Sequence, residues 1–238
     1  MIHSAEVYLW GSRIGYVHLE PGDAFASFEY DKDFRRSGIQ LAPIHMPLSD
    51  RVYRFTDLPI GSFHGLPGLL ADSVPDRFGN AIIDNWLASQ GREPESFNIV
   101  ERLCYTGSRG MGALEYVPAK HGKTVDSAVD INGLVQLSSD ILSNRRKMHF
   151  NNETTDTSQL LQLGTSAGGA RAKAIIAIDE ETKDIRSGQI SNNDKYSYWL
   201  MKFDNVSANG DHDLQDAPEY TLIEYAYYLM ACAAGINM

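Results

Sequence analysis

The chain has 238 residues and a formal net charge of −10, from 21 lysines and arginines against 31 aspartates and glutamates. This length allows a substantial core divided between two units. Both halves are acidic, so we expect no direct grip on nucleic acid, and a DNA role would require a basic partner. No run of about 18 apolar residues and no secretory leader pattern occurs, which predicts a cytoplasmic protein without a membrane span.

Metal and disulfide chemistry are also not expected. The seven histidines show no ligand spacing, so we predict no transition-metal site. The two cysteines, Cys104 and Cys232, lie far apart in the sequence. We interpret them as two buried thiols of a reducing compartment.

The first 55 residues have the pattern of β-structure. Residues 6–10 and 14–19 flank a short turn and predict a hairpin. Residues 24–30 alternate small or polar with aromatic side chains, which is typical of a half-buried strand. Residues 44–47 and 52–55 indicate further short extended pieces. A small antiparallel sheet or a partly open barrel accounts best for this region.

The next block, residues 66–79 (LPGLLADSVPDRFG), is rich in turn formers and helix caps. Asp72 or Ser73 is expected to cap a helix over residues 80–90 that stops at Gly91. The glycines of residues 106–116 predict a tight turn. Polar residues at this helix start could hold an anion, but a capped helix and a turn packed for shape are the favoured interpretation.

Residues 163–173 (LGTSAGGARAK), followed by a β-like run at 174–178, have the layout of a phosphate cradle. Gly168 and Gly169 allow backbone angles that let consecutive N–H groups turn toward one anion, and Arg171 and Lys173 add positive charge. A glycine-rich turn between two strands is the alternative explanation for the same pattern.

Two later residues favour the phosphate site. Lys202 lies in an apolar run, residues 198–203, that predicts a strand. Glu224 is the one charge in a predicted helix that opens with Asp216 and Glu219 at capping-box spacing and ends at Gly235. Because that helix is apolar on most faces, we expect it to be buried and its carboxylate to need a cation such as Lys202. Glycine-rich loop, strand lysine and helix glutamate, in that order, form the nucleotide-holding half of a protein-kinase-type site.

These residues resemble the HipA family of bacterial serine/threonine kinases, the toxins of HipA/HipB toxin–antitoxin modules. The segment from Ser166 to Lys173 (SAGGARAK) is similar to the family's ATP-phosphate loop. Lys202 and Glu224 match its ATP-contacting lysine and helix glutamate. Residues 66–79 and 106–116 resemble the signature and the closing segment of the family's N-terminal subdomain, so the resemblance covers most of the chain.

The resemblance implies ATP and Mg²⁺ as the cofactors of the complete kinase. It also implies a HipB-like DNA-binding antitoxin and a protein substrate from the translation machinery as partners. Ser166 is the family's autophosphorylation position, where phosphate charge would switch the nucleotide loop off. The implied ATP-binding residues are Ala167, Gly168, Gly169, Ala170, Arg171, Lys173 and Lys202, with Glu224 as the ion-pair support.

The predicted fold class is α+β. Residues 1–118 are expected to form a small β-sheet or barrel subdomain with helices, and residues 119–157 a linker helix and loop. Residues 158–238 are expected to form a kinase-like small lobe of antiparallel sheet plus one helix. No Asp-containing catalytic or Mg²⁺-binding element follows Glu224 in the sequence. We therefore expect the C-terminal catalytic lobe to be absent and this chain alone to be inactive.

Two other functions remain open from the sequence. The first is a non-catalytic regulatory subunit whose partner supplies the catalytic lobe or the DNA-binding function. The second is an unrelated anion-binding β/α protein in which Lys202 and Glu224 never meet. A shared location of those two side chains would argue against the second.

Overall fold

The computed structural model describes residues 1–118, 128–129, 173–189, 194–203 and 219–238. These residues belong to two compact units, one formed by residues 1–118 and the other by the described residues from 128 onward. The predicted linker helix, the glycine-rich loop and the segment preceding the last helix lie outside the described residues.

The first unit is built on a five-stranded antiparallel sheet with the order β4-β3-β2-β1-β5. The predicted hairpin is confirmed by the pairing of β1 with β2, and β4 is shorter than the predicted extended piece. The strands are β1 (Ser4–Leu9), β2 (Ser12–His18), β3 (Ser27–Tyr30), β4 (Val52–Tyr53) and β5 (Leu114–Val117).

Local backbone chemistry explains the β1–β2 hairpin. Trp10 and Gly11, the two residues between the strands, both have positive φ, 48° and 76°. That combination is the type I′ turn, whose twist matches the twist of the paired strands. Farther along β2, Gly15 allows close packing of β3. A Cβ added at Gly15 would lie 2.3 Å from the Glu29 carbonyl oxygen and 2.6 Å from the Phe28 ring.

Helices flank this sheet, and three of them begin with a side-chain cap, from Asp31, Asp76 and Asn98. The order is α1 (Lys32–Arg35), α2 (Ile60–Phe63), α3 (Gly68–Ala71), α4 (Arg77–Ser89), a 3₁₀ turn (Pro94–Ser96) and α5 (Ile99–Thr106). The core of the unit is one apolar cluster between sheet and helices. Its fully or nearly fully buried members include Val7, Ile14, Val17, Phe28, Tyr30, Leu66, Leu70, Val100, Leu103 and Tyr116.

The predicted cap of α4 was wrong by one turn. Asp76 caps this helix, because its carboxylate accepts a hydrogen bond from the Gly79 N–H at 2.9 Å. Asp72 instead follows the end of α3. A helix started by Asp72 or Ser73 would have to continue through Val74, and a residue that precedes a proline is disfavoured in helical conformation.

Helix α5 was not predicted, although its sequence carries a clear start signal. The Asn98 side chain accepts from the Glu101 N–H, and the Glu101 carboxylate accepts from the Asn98 N–H. This reciprocal pair is a capping box, which satisfies two otherwise unpaired N–H groups at the helix start. Gly107 ends the helix with φ of 54°.

The second unit contains a three-stranded antiparallel sheet with the order β7-β6-β8. Its strands are β6 (Lys173–Asp179), β7 (Ile185–Ser187) and β8 (Tyr196–Lys202), and the last helix is α6 (Tyr220–Ala233). The two strands predicted before and after the polar segment are present. That polar segment was predicted as loop, yet it contains β7, which is held by pairing with Ile176–Ile178 of β6 rather than by an apolar pattern of its own.

Helix α6 differs from its prediction in burial. Nearly every described side chain of α6 is exposed, and Cys232, predicted as a buried thiol, is exposed as well. None of the residues of α6 is buried. The exposed large side chains on α6 are Tyr220, Leu222, Ile223, Tyr225, Tyr227, Tyr228, Leu229 and Met230. Of the helices in the described segments, none has the combined length and apolar character needed to cross a bilayer.

Candidate functional site

The structure brings Lys202 and Glu224 together within the second unit. The Lys202 Nζ donates hydrogen bonds to Glu224 Oε1 at 2.9 Å and to Oε2 at 2.8 Å. Lys202 is the last residue of β8, and Glu224 lies in the second turn of α6. An edge strand and the helix that follows it in sequence are therefore joined through one ammonium and one carboxylate.

Strand register places a second lysine beside this ion pair. β8 pairs with β6 through seven residue pairs, and Lys173 lies directly opposite Lys202. Directly opposed residues of an antiparallel pair point to the same face of the sheet. The Lys173 residue is buried, at 7% exposure. The two lysines therefore lie on one face of the sheet, where Glu224 is paired with Lys202.

The face that carries the two lysines becomes apolar toward the middle of the sheet. Ile175 pairs with Leu200, and Ala177 pairs with Tyr198, each two residues farther along the strands. Because side chains alternate between faces, these four lie on the same face as the lysines. Leu200 and Tyr198 on β8 are 44% and 42% exposed, whereas Ala177 on β6 is fully buried, so the solvent-exposed part of this apolar strip lies on β8. The face could accept a ligand that combines an anionic part with a flat apolar part.

The ion pair is more open than the sequence suggested. The Lys202 and Glu224 side chains keep 40% and 50% of their surface exposed. The expectation that Glu224 is a buried carboxylate in need of a cation is therefore wrong, because α6 itself is exposed. Exposed ion pairs contribute little to stability. The pair is therefore not a buried structural bridge between β8 and α6.

At the far end of the same sheet, charged and polar side chains pair with one another. Asp184 accepts a hydrogen bond from Arg186 Nε at 2.6 Å and one from the Tyr196 hydroxyl at 2.9 Å. The Arg186 hydrogen bond, followed by that of Tyr196, holds the pKa of Asp184 below its usual range. The same contact with Asp184 raises the pKa of Tyr196. Arg186 is therefore committed to Asp184 at the end of the sheet away from the lysines.

The remaining predicted site residues lie outside the described residues. These are the autophosphorylation position and the central residues of the phosphate loop, namely Ser166, Ala167, Gly168, Gly169, Ala170 and Arg171. Among the residues that are described, no group of three or more His, Cys, Asp or Glu side chains could hold a metal ion.

Sequence reasoning missed a cavity in the first unit. It has a volume of about 500 Å³ and is mostly apolar. Its walls come from three separate segments of the chain, so no local motif announces it. The lining residues are Ala42, Pro43, Ile44, His45, Met46, Phe55, Asp57, Leu58, Phe63, Gly68 and Leu69.

Comparison with known families identifies the first unit. Residues 5–117 match the family model of the HipA N-terminal domain, a span that runs from β1 through β5. A comparison with curated proteins gave no match. The matched span ends before Lys202 and Glu224 and gives no assignment to that pair. Residues 5–117 therefore form a HipA N-terminal domain, and this match supports a HipA-family N-terminal portion.

Proposed function

We propose that this chain is the nucleotide-holding portion of a HipA-like toxin–antitoxin serine/threonine kinase. The observation that carries the proposal is the contact of Lys202 with both carboxylate oxygens of Glu224, at 2.8 and 2.9 Å. A strand lysine aimed by a helix glutamate is the arrangement with which protein kinases hold the α- and β-phosphates of ATP. The HipA N-terminal domain at residues 5–117 provides independent support.

In this proposal the residues act by position and charge. The Lys202 ammonium neutralises the α/β-phosphates, and Glu224 fixes its direction. Lys173, opposite Lys202 on β6, adds a second positive charge. Phosphoryl transfer needs little covalent chemistry from the protein, so orientation and charge neutralisation supply most of the catalysis. ATP's base would lie against the apolar strip beside the lysines.

The proposal also assigns roles to the glycine-rich loop and to two protein partners. Backbone N–H groups of Ala167–Ala170, with Arg171, would cover the phosphates of ATP·Mg²⁺. Phosphorylation of Ser166 would add about −1.5 to −2 of charge to that loop and oppose nucleotide binding. As in HipA-type modules, a HipB-like antitoxin would be the DNA-binding partner, and the target would be a protein of the translation machinery.

Calorimetric titration with ATP·Mg²⁺ tests the site. We expect Lys202→Met to weaken binding at least tenfold and Glu224→Gln to weaken it severalfold. Lys183→Met is the matched control, because Lys183 is an exposed lysine of the same unit, paired with Glu180 at 3.1 Å on a turn. If Lys202→Met bound ATP·Mg²⁺ as well as Lys183→Met and the unmutated chain, the proposed nucleotide site would be refuted.

The exposed apolar surface of α6 favours a second candidate, a non-catalytic regulatory subunit. Contiguous apolar patches larger than several hundred Å² commonly mark interaction surfaces. Under this candidate the chain binds no nucleotide by itself, and a partner covers α6. Titration with ATP·Mg²⁺ and measurement of complex stoichiometry for the purified partner pair separate the two. Binding of ATP by the isolated chain favours the kinase portion, whereas a stoichiometric complex without nucleotide binding favours the subunit.

A further inference from the structure

The cavity of the HipA N-terminal domain has the size and lining of a small-molecule site. Its volume of about 500 Å³ falls within the range of about 300–1,000 Å³ that is typical of ligand pockets. Such pockets are mainly apolar with a few polar groups that fix orientation. Here the body of the cavity is apolar, and its polar side chains are His45 and Asp57.

Hydrogen bonds outside the cavity hold its walls in place. The buried Tyr30 hydroxyl donates to the Met46 carbonyl at 2.8 Å, and the Met46 N–H donates to the Ala42 carbonyl at 2.8 Å. These bonds fix the segment that carries the cavity floor, where Met46 is 2% exposed. On the second wall, Phe55 stacks on Tyr53 with ring centroids 6.4 Å apart. A cavity with fixed walls binds a ligand with a smaller ordering cost.

The charge at the cavity is negative. Asp57 is exposed at the rim, and its carboxylate has no hydrogen bond or ion pair among the residues that the structure describes. Among the described residues of the lining, Asp57 is the only acidic or basic side chain apart from the imidazole of His45. An uncommitted carboxylate beside an apolar cavity attracts a ligand with an apolar body and a cationic end.

From this geometry we infer that the cavity binds small aromatic amines. The ring occupies the apolar body between Met46, Phe55 and Leu69, and the ammonium group faces Asp57. This site lies in the first unit and does not depend on the nucleotide proposal. For a ligand of about a dozen non-hydrogen atoms, the usual binding energy per atom corresponds to a Kd on the order of 1 mM.

The test uses the full ¹⁵N-labelled chain and two probes, tryptamine and its neutral alcohol analogue, tryptophol. Amide shifts of Ala42, Leu58 and Leu69 report the three walls. Tryptamine is expected to saturate all three and to bind about threefold to fivefold more tightly than tryptophol, because Asp57 is exposed and its attraction is modest. The preference should shrink in 1 M NaCl, where screening shortens the range of the attraction.

Matched variants test separately the contribution of the Asp57 charge and that of the cavity volume to probe binding. Asp57→Asn should reduce tryptamine affinity to that of tryptophol, whereas Asp50→Asn, another exposed acid of the same domain, should not. Gly68→Leu should fill the cavity and weaken both probes at least fivefold. A Cβ at Gly68 meets only the Phe63 ring, at 3.5 Å, so this variant should fold. Gly61→Leu, which faces open space in α2, is its control.

Three results would overturn the inference. Absence of saturable shifts at 10 mM tryptamine would show that the cavity is not a ligand site. Equal affinity for tryptamine and tryptophol in the unmutated chain would refute the cationic class. Wall shifts that depend on protein concentration without any probe would show that a second copy of the chain occupies the cavity.

Discussion

Breaking the Lys202–Glu224 ion pair should change the stability of the second unit by little. The pair is joined by two hydrogen bonds, 2.8 and 2.9 Å long. If it were buried, removing one partner would cost about 3–5 kcal/mol. However, the two side chains are 40% and 50% exposed. Water and salt screen such a pair, and exposed pairs contribute about 0.2–1 kcal/mol. Because both side chains are exposed, the value for exposed pairs applies, and we predict a coupling energy of about 0.2–1 kcal/mol.

A double-mutant cycle measures this coupling. The four proteins are the unmutated chain, Lys202→Met, Glu224→Gln and the double variant. Hydrogen exchange of β6 and β8 amides gives the opening free energy of this sheet separately from the first unit. A coupling energy of about 3 kcal/mol or more would refute the reasoning, because it would show that the pair acts as a buried structural bridge. A small coupling together with the loss of ATP binding in Lys202→Met would assign the pair to ligand orientation.

Three further predictions concern the first unit. Gly15→Ala should lower the free energy of unfolding by about 1–3 kcal/mol in urea titration, because its Cβ would overlap the neighbouring strand, while Gly61→Ala, in open space, should not lower it. Asn98→Ala should lower it by about 1 kcal/mol in the same assay by removing the capping box of α5. Burial disfavours the charged form of Asp31, but its hydrogen bonds from two backbone N–H groups and from Arg13 prevail and lower its pKa below 3.8. The contribution of ionised Asp31 to the free energy of unfolding is therefore present above pH 3.8 and is lost as pH falls toward the lower pKa of the folded state. Asp31→Asn should accordingly make the free energy of unfolding depend less on pH between pH 3.8 and that lower pKa.

The sequence contained enough local information for the hairpin and for the cap signals. Two β-like runs flanking a turn at residues 11–13 predict a hairpin. That hairpin is present, with its turn at Trp10-Gly11 instead. Asn98 and Glu101 carry the capping-box spacing of α5, so this missed helix was readable from the sequence. The cap of α4 required one more rule: a residue that precedes a proline, here Pro75, is disfavoured in helical conformation. This rule selects Asp76 over Asp72 and Ser73 as the cap.

Other features depend on contacts between distant residues and leave no local pattern. β7 lies in a charged segment and becomes a strand because Ile185–Ser187 pair with β6. The cavity of the first unit likewise needs Met46, Phe55 and Leu69 from three segments to meet. In both cases the decisive information is which parts of the chain become neighbours, and hydrophobic periodicity within one segment does not contain it.

The Lys202–Glu224 contact was expected from the sequence for a reason that the structure does not support. Burial of α6 was meant to force Glu224 to find a cation, but α6 is exposed and a solvated carboxylate has no such need. The contact instead requires the β6–β8 register that pairs Lys202 with Lys173. A slip of β8 by one residue would turn Lys202 to the opposite face and put Met201 in its place. Register, rather than desolvation, therefore places Lys202 on the face of the sheet from which it reaches Glu224.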